Sequence, residues 1–222
     1  LMQIPKRLQV IGNLIPEGAY IADIGADHGL LEQYIALHLK DYHVLAIENK
    51  VGPLTALYDN AGCLKNVNIS HSDGMNKVTS EYDTVILAGM GGDNIINILT
   101  KDVKKLKKVN QIIVDAHSFI PKVRAKLIEL GFGMDYEEIV YEAGVYYIII
   151  SFKRNTLEKQ FSKDEIDFGY KLYLDPLYSE YKKYMIGKYK SLLGILSKVK
   201  KQPQRYEEIN DELRRFESYG QN

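Results

Sequence analysis

The sequence predicts an α/β fold in which a doubly wound, mostly parallel sheet ends in an antiparallel hairpin and is followed by a separate helical unit. Three observations carry this. Up to about residue 153, short β-rich apolar runs alternate with segments of helical period, the pattern of βαβ units around a parallel sheet. Two further β-rich runs are joined only by Glu142-Ala143-Gly144, too short for a crossover helix, so those strands have to pair antiparallel. From about Arg154 onward strands vanish, charge rises, and Tyr, Lys and Leu recur at helical spacing.

In chain order, strands are expected at Tyr20–Ile24, His43–Ile47, Val67–His71, Thr84–Ala88 and Gln111–Asp115, then at Met134–Tyr141 and Val145–Phe152. The unbroken run Thr84-Val85-Ile86-Leu87-Ala88 implies burial on both faces of the sheet. Helices fit between the strands at Leu30–Leu39, Pro53–Leu64, Asn94–Leu106 and Pro121–Leu130. In the C-terminal unit Tyr178, Tyr181, Met185, Leu192, Ile195 and Val199 trace an a/d seam in which Lys188 is the one poor position. Tyr206, Ile209, Leu213 and Phe216 continue it beyond Gln202-Pro203, where a proline that can begin a helix but not extend one marks a turn. The expected division is 1–154 for the catalytic domain and 155–222 for a helical coiled-coil domain folded back as a hairpin.

A chain of 222 residues can bury a real core, and its 29 basic and 29 acidic side chains give no net field that announces a nucleic-acid partner. Basic character is local instead. Lys182, Lys183, Lys188, Lys190, Lys198, Lys200, Lys201 and Arg205 follow one another without an acidic residue, with Tyr178, Tyr181, Tyr184 and Tyr189 interleaved. Such a field suits phosphates and such rings can stack on unpaired bases; for the lysines contact with RNA is the favoured reading over plain solvation, and for the tyrosines packing of the hairpin is favoured over stacking. Lys101, Lys104, Lys105, Lys107 and Lys108 form a second cluster that is surface or rim. The single cysteine, Cys63, excludes a disulfide framework and is expected to pack on a helix. No signal-peptide pattern and no apolar run near the ~20 residues of a membrane span are present, so a cytoplasmic protein without a membrane partner is expected. The histidines and the cysteine lack ligand spacing, and no metal is expected.

The most informative stretch is Ala22-Asp23-Ile24-Gly25-Ala26-Asp27-His28-Gly29, between a strand and a helix. Gly25 permits a sharp turn and a close ligand, and the following helix start offers free N–H groups. A dinucleotide fold would carry three glycines here to clear a diphosphate, which Asp27 would repel. The acidic loop suits a ligand bearing an ammonium and a sulfonium. Glu48, about 23 positions after Gly25 at the end of the next strand, is placed to accept from ribose hydroxyls. Asp73-Gly74 follows the third strand, where Asp73 can accept from an adenine amino group, and Gly89-Met90-Gly91-Gly92 follows the fourth. Singly these are ordinary turns; together, at successive strand ends, they point to S-adenosylmethionine. A terminal hairpin on a Rossmann-like sheet is also the usual layout of class I methyltransferases that use this donor.

At these residues the chain resembles the bacterial TrmK family, tRNA methyltransferases acting on N1 of the adenine at position 22. The resemblance rests on Ala22 to His28, Asp73-Gly74, the specific run Ala88-Gly89-Met90-Gly91-Gly92, an N-terminal helix at Lys6-Arg7-Leu8 and the coiled-coil tail. It covers essentially the whole chain. Gly29-Leu30-Leu31-Glu32 and Asp115-Ala116-His117 depart from the family's usual runs. The resemblance implies a donor-binding set of Asp23, Gly25, Asp27, His28, Glu48, Asp73, Gly74, Ala88, Gly89, Met90 and Gly91, with tRNA as the partner and a single copy as the acting unit.

Neutral adenine carries a free lone pair on N1, so no base is needed before attack, and orientation with exclusion of water is the main work. N1 is hidden in a duplex and has to be unpaired or extruded. The methylated base is a cation, which Asp27 is expected to stabilise as the catalytic residue; Asp27 as a helix N-cap or a ligand of the donor's ammonium stands beside that reading. His28, Asp115 and His117 are expected as contacts or rim residues. The acceptor could also be another nucleic acid or a protein, and a donor-binding protein without turnover is the alternative class; a nicotinamide dehydrogenase is disfavoured by the acidic loop.

Overall fold

The computed structural model describes residues 3–154, 160–198 and 203–220 of the chain. Seven strands form one sheet in the order β3-β2-β1-β4-β5-β7-β6. They run over Tyr20–Ile24 (β1), His43–Glu48 (β2), Val67–His71 (β3), Thr84–Met90 (β4), Gln111–Ala116 (β5), Phe132–Glu142 (β6) and Val145–Arg154 (β7). The first five are parallel, with Ala22 opposite Leu45 on one side and Val85 on the other. β7 pairs antiparallel with both β5 and β6, so the expected hairpin is present and β7 lies inside the sheet.

Strands whose side chains are buried on both faces need a layer on each. Helices α1 (Lys6–Asn13), α2 (Leu30–His38) and α3 (Val51–Ala61) cover one face, around Ile11, Ile21, Ile35, Leu57, Ile86 and Ile113. Helices α4 (Gly92–Lys101) and α5 (Ile120–Glu129) cover the other, around Leu87, Ile95, Leu99, Val114, Leu127 and Phe152. The long helix expected over Asn94–Leu106 is two pieces: the backbone turns at Asp102 (φ −128°) and continues as a 3-10 stretch over Val103–Lys108. Cys63 is not packed on a helix; it is exposed in the turn after α3.

The C-terminal segment holds α6 (Lys163–Phe168), α7 (Tyr178–Leu196) and α8 (Pro203–Ser218). Alternation had not suggested α6, whose six residues depend on a capping box between Ser162 and Glu165. The predicted helical hairpin is formed by α7 and α8, but the seam differs after Met185. Leu192 and Ile195 are 39% and 63% exposed, whereas Ile186, Tyr189, Leu193 and Leu196 face Tyr206, Ile209 and Leu213. The reason is that α7 serves two partners. Its first turns pack Tyr178 and Tyr181 on the sheet side, and a 3.6-residue helix drifts by about 20° per heptad against a strict 3.5 repeat. Val199 lies outside the described residues.

The two parts are tied by buried charge. Arg124 on α5 donates from Nε to Glu137 on β6 at 2.7 Å, with both side chains almost wholly out of water. Arg124 Nη1 also reaches the carbonyls of Ile166 (3.2 Å) and Asp167 (3.4 Å), and the Tyr170 N–H donates to Glu137. Asp175 accepts from the Ile139 N–H at 2.9 Å. Burial raises the Glu137 carboxyl above its ordinary pKa while Arg124 opposes the rise. Arg124→Ala leaves that carboxyl buried without its cation, and a loss of about 3–5 kcal/mol is expected. A urea titration reads it as a lowered midpoint; a midpoint within error of the parent rules the tie out.

Candidate active site

The strand order reverses between β1 and β4, so the loops leaving their carboxyl ends diverge and open a crevice there. A pocket of about 400 Å³ occupies it. Its walls include Asp23, Gly25, Asp27 and His28 from the β1–α2 loop, Glu48 from β2, Asp73 and Gly74 after β3, and Ala88, Gly89 and Met90 from β4. Ten of the eleven residues expected to contact a donor therefore surround one cavity. Gly91 does not line it and serves as the N-cap of α4.

The loop's conformation follows from its residues. Gly25 has φ +81°, a region that side chains rarely enter, and a Cβ there would stand 3.0 Å from the Met90 methyl group. The N–H groups of Gly25 and Ala26 both donate to the Ile47 carbonyl, at 2.8 and 3.0 Å, which binds the loop to the end of β2. Asp27 also has positive φ (52°), tolerable for an aspartate. It is not the N-cap of α2, a place held by Gly29 without a side-chain bond. Its carboxylate instead meets His28 Nδ1 at 2.8 Å, and both side chains are more than half exposed at the pocket mouth.

Glu48 is nearly buried and accepts three backbone N–H groups: Asn49 and Lys50 on Oε1, each at 2.8 Å, and Asp27 on Oε2 at 3.2 Å. Of roughly four lone-pair sites on a carboxylate, one on Oε2 stays open to a ligand. Asp73 is exposed, with Lys101 Nζ at 3.2 Å from Oδ2 and the Asn49 amide at 3.5 Å from Oδ1. Two lysines of the 101–108 cluster are thus anchors, because Lys105 Nζ also donates to the Met75 and Asn76 carbonyls at 2.6 and 2.8 Å.

Two features escaped sequence reasoning. Beneath the loop, Glu32 on α2 is fully buried beside Asp23, and no donor from another group meets either Glu32 oxygen. Two carboxyls side by side out of water strongly disfavour a second negative charge, so one of them keeps its proton. Burial, then the charge of Asp23, raises Glu32 well above its ordinary range. Burial raises Asp23 to about 6, the bond to Glu32 opposing and the charge of Glu48 adding to the rise. The readable signal was an acidic residue set among Leu31, Tyr34 and Ile35 on the buried side of α2. At the other end, Arg7 of α1 lines the pocket and donates to Asp115 Oδ2 at 3.0 Å. Asp115 is not a rim residue: its side chain is wholly buried, and Oδ1 has no hydrogen-bond partner among the described residues. His117 does lie on the rim, 42% exposed, with Nε2 3.7 Å from Asp115 Oδ2.

Asp23, Asp27, Glu48 and Asp73 give the pocket an acidic side, against Arg7, His28 and Lys50. That set fits a cationic ligand carrying hydroxyls and an amino group, as S-adenosylmethionine does, and it has no place for a diphosphate. Among the described residues, no group of three or more His, Cys, Asp or Glu side chains is arranged to hold a metal ion.

The shared proton makes stability depend on pH. Both folded-state pKa values are raised, so the pair's contribution is complete below the unfolded values near 4 and is lost as pH rises through about 6 and beyond. Glu32→Gln donates to Asp23 without a titrating proton, so its stability should change less than the parent's between roughly pH 5 and pH 8. Thermal unfolding across that interval tests this, and parallel profiles would refute it.

The family described as methyltransferase domain matches residues 4–150 of this chain. A curated relative, the tRNA (adenine(22)-N(1))-methyltransferase of Bacillus subtilis (strain 168), is 29% identical over 153 residues, which span 67% of this chain and 64% of that protein. Thus the chain aligns with somewhat under two thirds of the relative's length. Among solved structures, M. capricolum TrmK in complex with S-adenosyl-homocysteine superposes with a TM-score of 0.86 at 24% identity, covering 99% of this chain and 98% of that one. The B. subtilis tRNA methyltransferase TrmK gives 0.86 at 22% identity, covering 98% and 99%. The fold is shared from end to end, and with a family match over most of its length this chain belongs to the methyltransferase domain family.

Proposed function

We propose that this chain is a TrmK-type enzyme that transfers a methyl group from S-adenosylmethionine to N1 of adenine 22 in tRNA. The observation that carries the reading is the acid-walled pocket at the β1/β4 reversal, built from the residues quoted for the TrmK resemblance. The names of the relatives support it, one being a tRNA (adenine(22)-N(1))-methyltransferase and another having been solved in complex with S-adenosyl-homocysteine.

When bound, the donor supplies an electrophilic methyl group on a sulfonium. The open site on Glu48 Oε2 takes a ribose hydroxyl, Asp73 takes the adenine amino group, and the Gly25 turn with Ala88, Gly89 and Met90 admits the ligand close to the backbone. Asp23 and His28 complete the wall. At the mouth, Asp27 faces the acceptor base, where its carboxylate offsets the positive charge that N1 methylation places on adenine. No side chain has to remove a proton, because N1 attacks with its own lone pair.

The reading divides the chain into a catalytic part, 1–154, and a part that holds RNA, 155–222, acting as a single copy in the cytoplasm. No helix among the described residues is long and apolar enough to cross a membrane. The lysines of α7 divide in two. Lys182 Nζ donates to the Glu217 and Tyr219 carbonyls (2.9 and 2.8 Å), and Lys190 lies 3.7 Å from Glu217. Lys183 and Lys188, with Lys198 two residues past the end of the helix, are exposed, which suits phosphate contact. Lys200 and Lys201 lie outside the described residues. Tyr178 is buried and Tyr189 donates to Glu212 at 2.7 Å, so these two pack the tail, and Tyr184 is the exposed ring on α7.

Two outcomes are expected. Incubated with labelled donor, the protein should label unmodified tRNA and lose that labelling when adenine 22 is replaced by guanine; equal labelling of both places the methyl elsewhere. Asp27→Ala should keep donor affinity within about three-fold in calorimetry yet lower turnover by on the order of ten-fold or more. Unchanged turnover removes the charge-stabilising role.

A further inference from the structure

A second cleft, about 510 Å³, lies between the catalytic sheet and the C-terminal helices, and it shares His117 with the donor pocket. One wall is the loop after β5, where Phe119 is half exposed and carries Lys122 Nζ 4.3 Å from its ring centroid. The other wall is α7, where Tyr184 is 41% exposed and carries Lys188 Nζ 5.2 Å from its ring. Tyr146 of β7 closes the floor, its ring 5.1 Å from that of Tyr184. An exposed aromatic ring therefore faces the cleft from each side, and the ammonium of Lys188 lines it beside Tyr184.

The Phe119 placement is not what local preference would choose. Phe119 holds φ 52° and ψ 34°, a left-handed conformation that strains a bulky residue. The start of α4 packs closely on this loop: the Gly92 N–H donates to the Ser118 carbonyl at 3.2 Å, and a Cβ on Gly92 would strike that oxygen. The cleft's carboxylates are already engaged: Asp167 with Lys163 and Arg215, both at 2.6 Å, and Glu212 with the Tyr189 hydroxyl at 2.7 Å. Arg124 is likewise spent on Glu137. What stays available is two rings for a flat π-surface and the Lys188 ammonium for an anion; Lys122 lies behind the Phe119 ring and 3.8 Å from Asp93. Unpaired nucleotides combine those properties, and single-strand sites recognise them with such rings and cations.

We propose that this cleft receives the base of the nucleotide next to the methylated adenine, stacked between the Phe119 and Tyr184 walls, with the adjoining phosphate at Lys188. The proposal rests on the tRNA-methylating function inferred above. An adenine entering the donor pocket past His117 leaves its neighbour at the entrance of the second cleft, since the two cavities meet at that residue. Unstacking one base from an RNA helix also unstacks its neighbour. A surface for that neighbour recovers stacking and favours extrusion of the target.

The test uses the full chain with S-adenosylmethionine and tRNA assembled from two strands, either intact or with an abasic residue on one side or the other of adenine 22. In the parent, one of the two abasic substrates should raise KM roughly ten-fold, the typical loss when one base–aromatic stack is removed. Tyr184→Leu should raise KM for intact tRNA by a similar factor and add less than about two-fold on that abasic substrate, because the ring and the base are one interaction. Tyr184→Phe should restore the parent's KM, and donor affinity by calorimetry should be the same in all three proteins. Losses that multiply, or a Tyr184→Leu protein indistinguishable from the parent on intact tRNA, overturn the proposal and leave the cleft a packing seam or a surface for another protein. A parent protein that labels donor-free product in no tRNA overturns the functional reading, and this proposal falls with it.

Discussion

Burial of a parallel sheet on both faces is the constraint from which the rest of this molecule follows. Parallel neighbours have to be joined by crossovers that return to the starting edge, so all five connecting loops leave from one end of the sheet. Where the order reverses between β1 and β4, two crossovers cover opposite faces and their loops separate. The pocket exists because nothing in the topology can fill that gap. Residues distant in sequence, such as Asp27, Glu48 and Asp73, then share one cavity.

The C-terminal helices are part of the same body. Phe168, Leu172 and Tyr178 are buried, and Arg124 and Glu137 are satisfied only when residues 166–170 lie against them. A buried ion pair adds little net stability but makes the misdocked state expensive. Its physical effect is to fix where α7 stands relative to β7, and with it the width of the cleft between them. Rigid spacing of that kind is what a stacking surface needs, since a wall that drifts by an ångström loses much of its dispersion contact.

Seven strands and the terminal hairpin were legible in the sequence because each strand is a short apolar run bounded by polar turns; Thr84–Ala88 and Val145–Phe152 are examples. The pocket was legible as well, since glycines and acids follow four successive strands. Other features depended on distances along the chain that no local pattern encodes. Arg7 and Asp115 are 108 positions apart, and the pairing of Glu32 with Asp23 needs the loop's conformation as well as the helix's period. The seam of α7 was misread for a related reason: heptad reasoning assumes one partner along the whole helix, and Tyr178 and Leu193 answer to different ones. Cys63 and the break at Asp102 concern helix ends, where one or two residues decide exposure.

Zero net charge conceals a separation of charge. The donor pocket has four carboxylates among its lining residues, while Lys183 and Lys188 stand exposed on α7 and Lys198 just beyond its end. To a distant polyanion such a molecule presents a dipole and no monopole, so the field exerts a torque more than a pull and acts only within about one Debye length, roughly 8 Å at physiological salt. On the function proposed above, phosphates would meet lysines at the helices and carboxylates at the pocket mouth, leaving an uncharged heterocycle as the moiety favoured at the acidic threshold. Such a pattern would act as an electrostatic sieve, sorting the two halves of a nucleotide before contact.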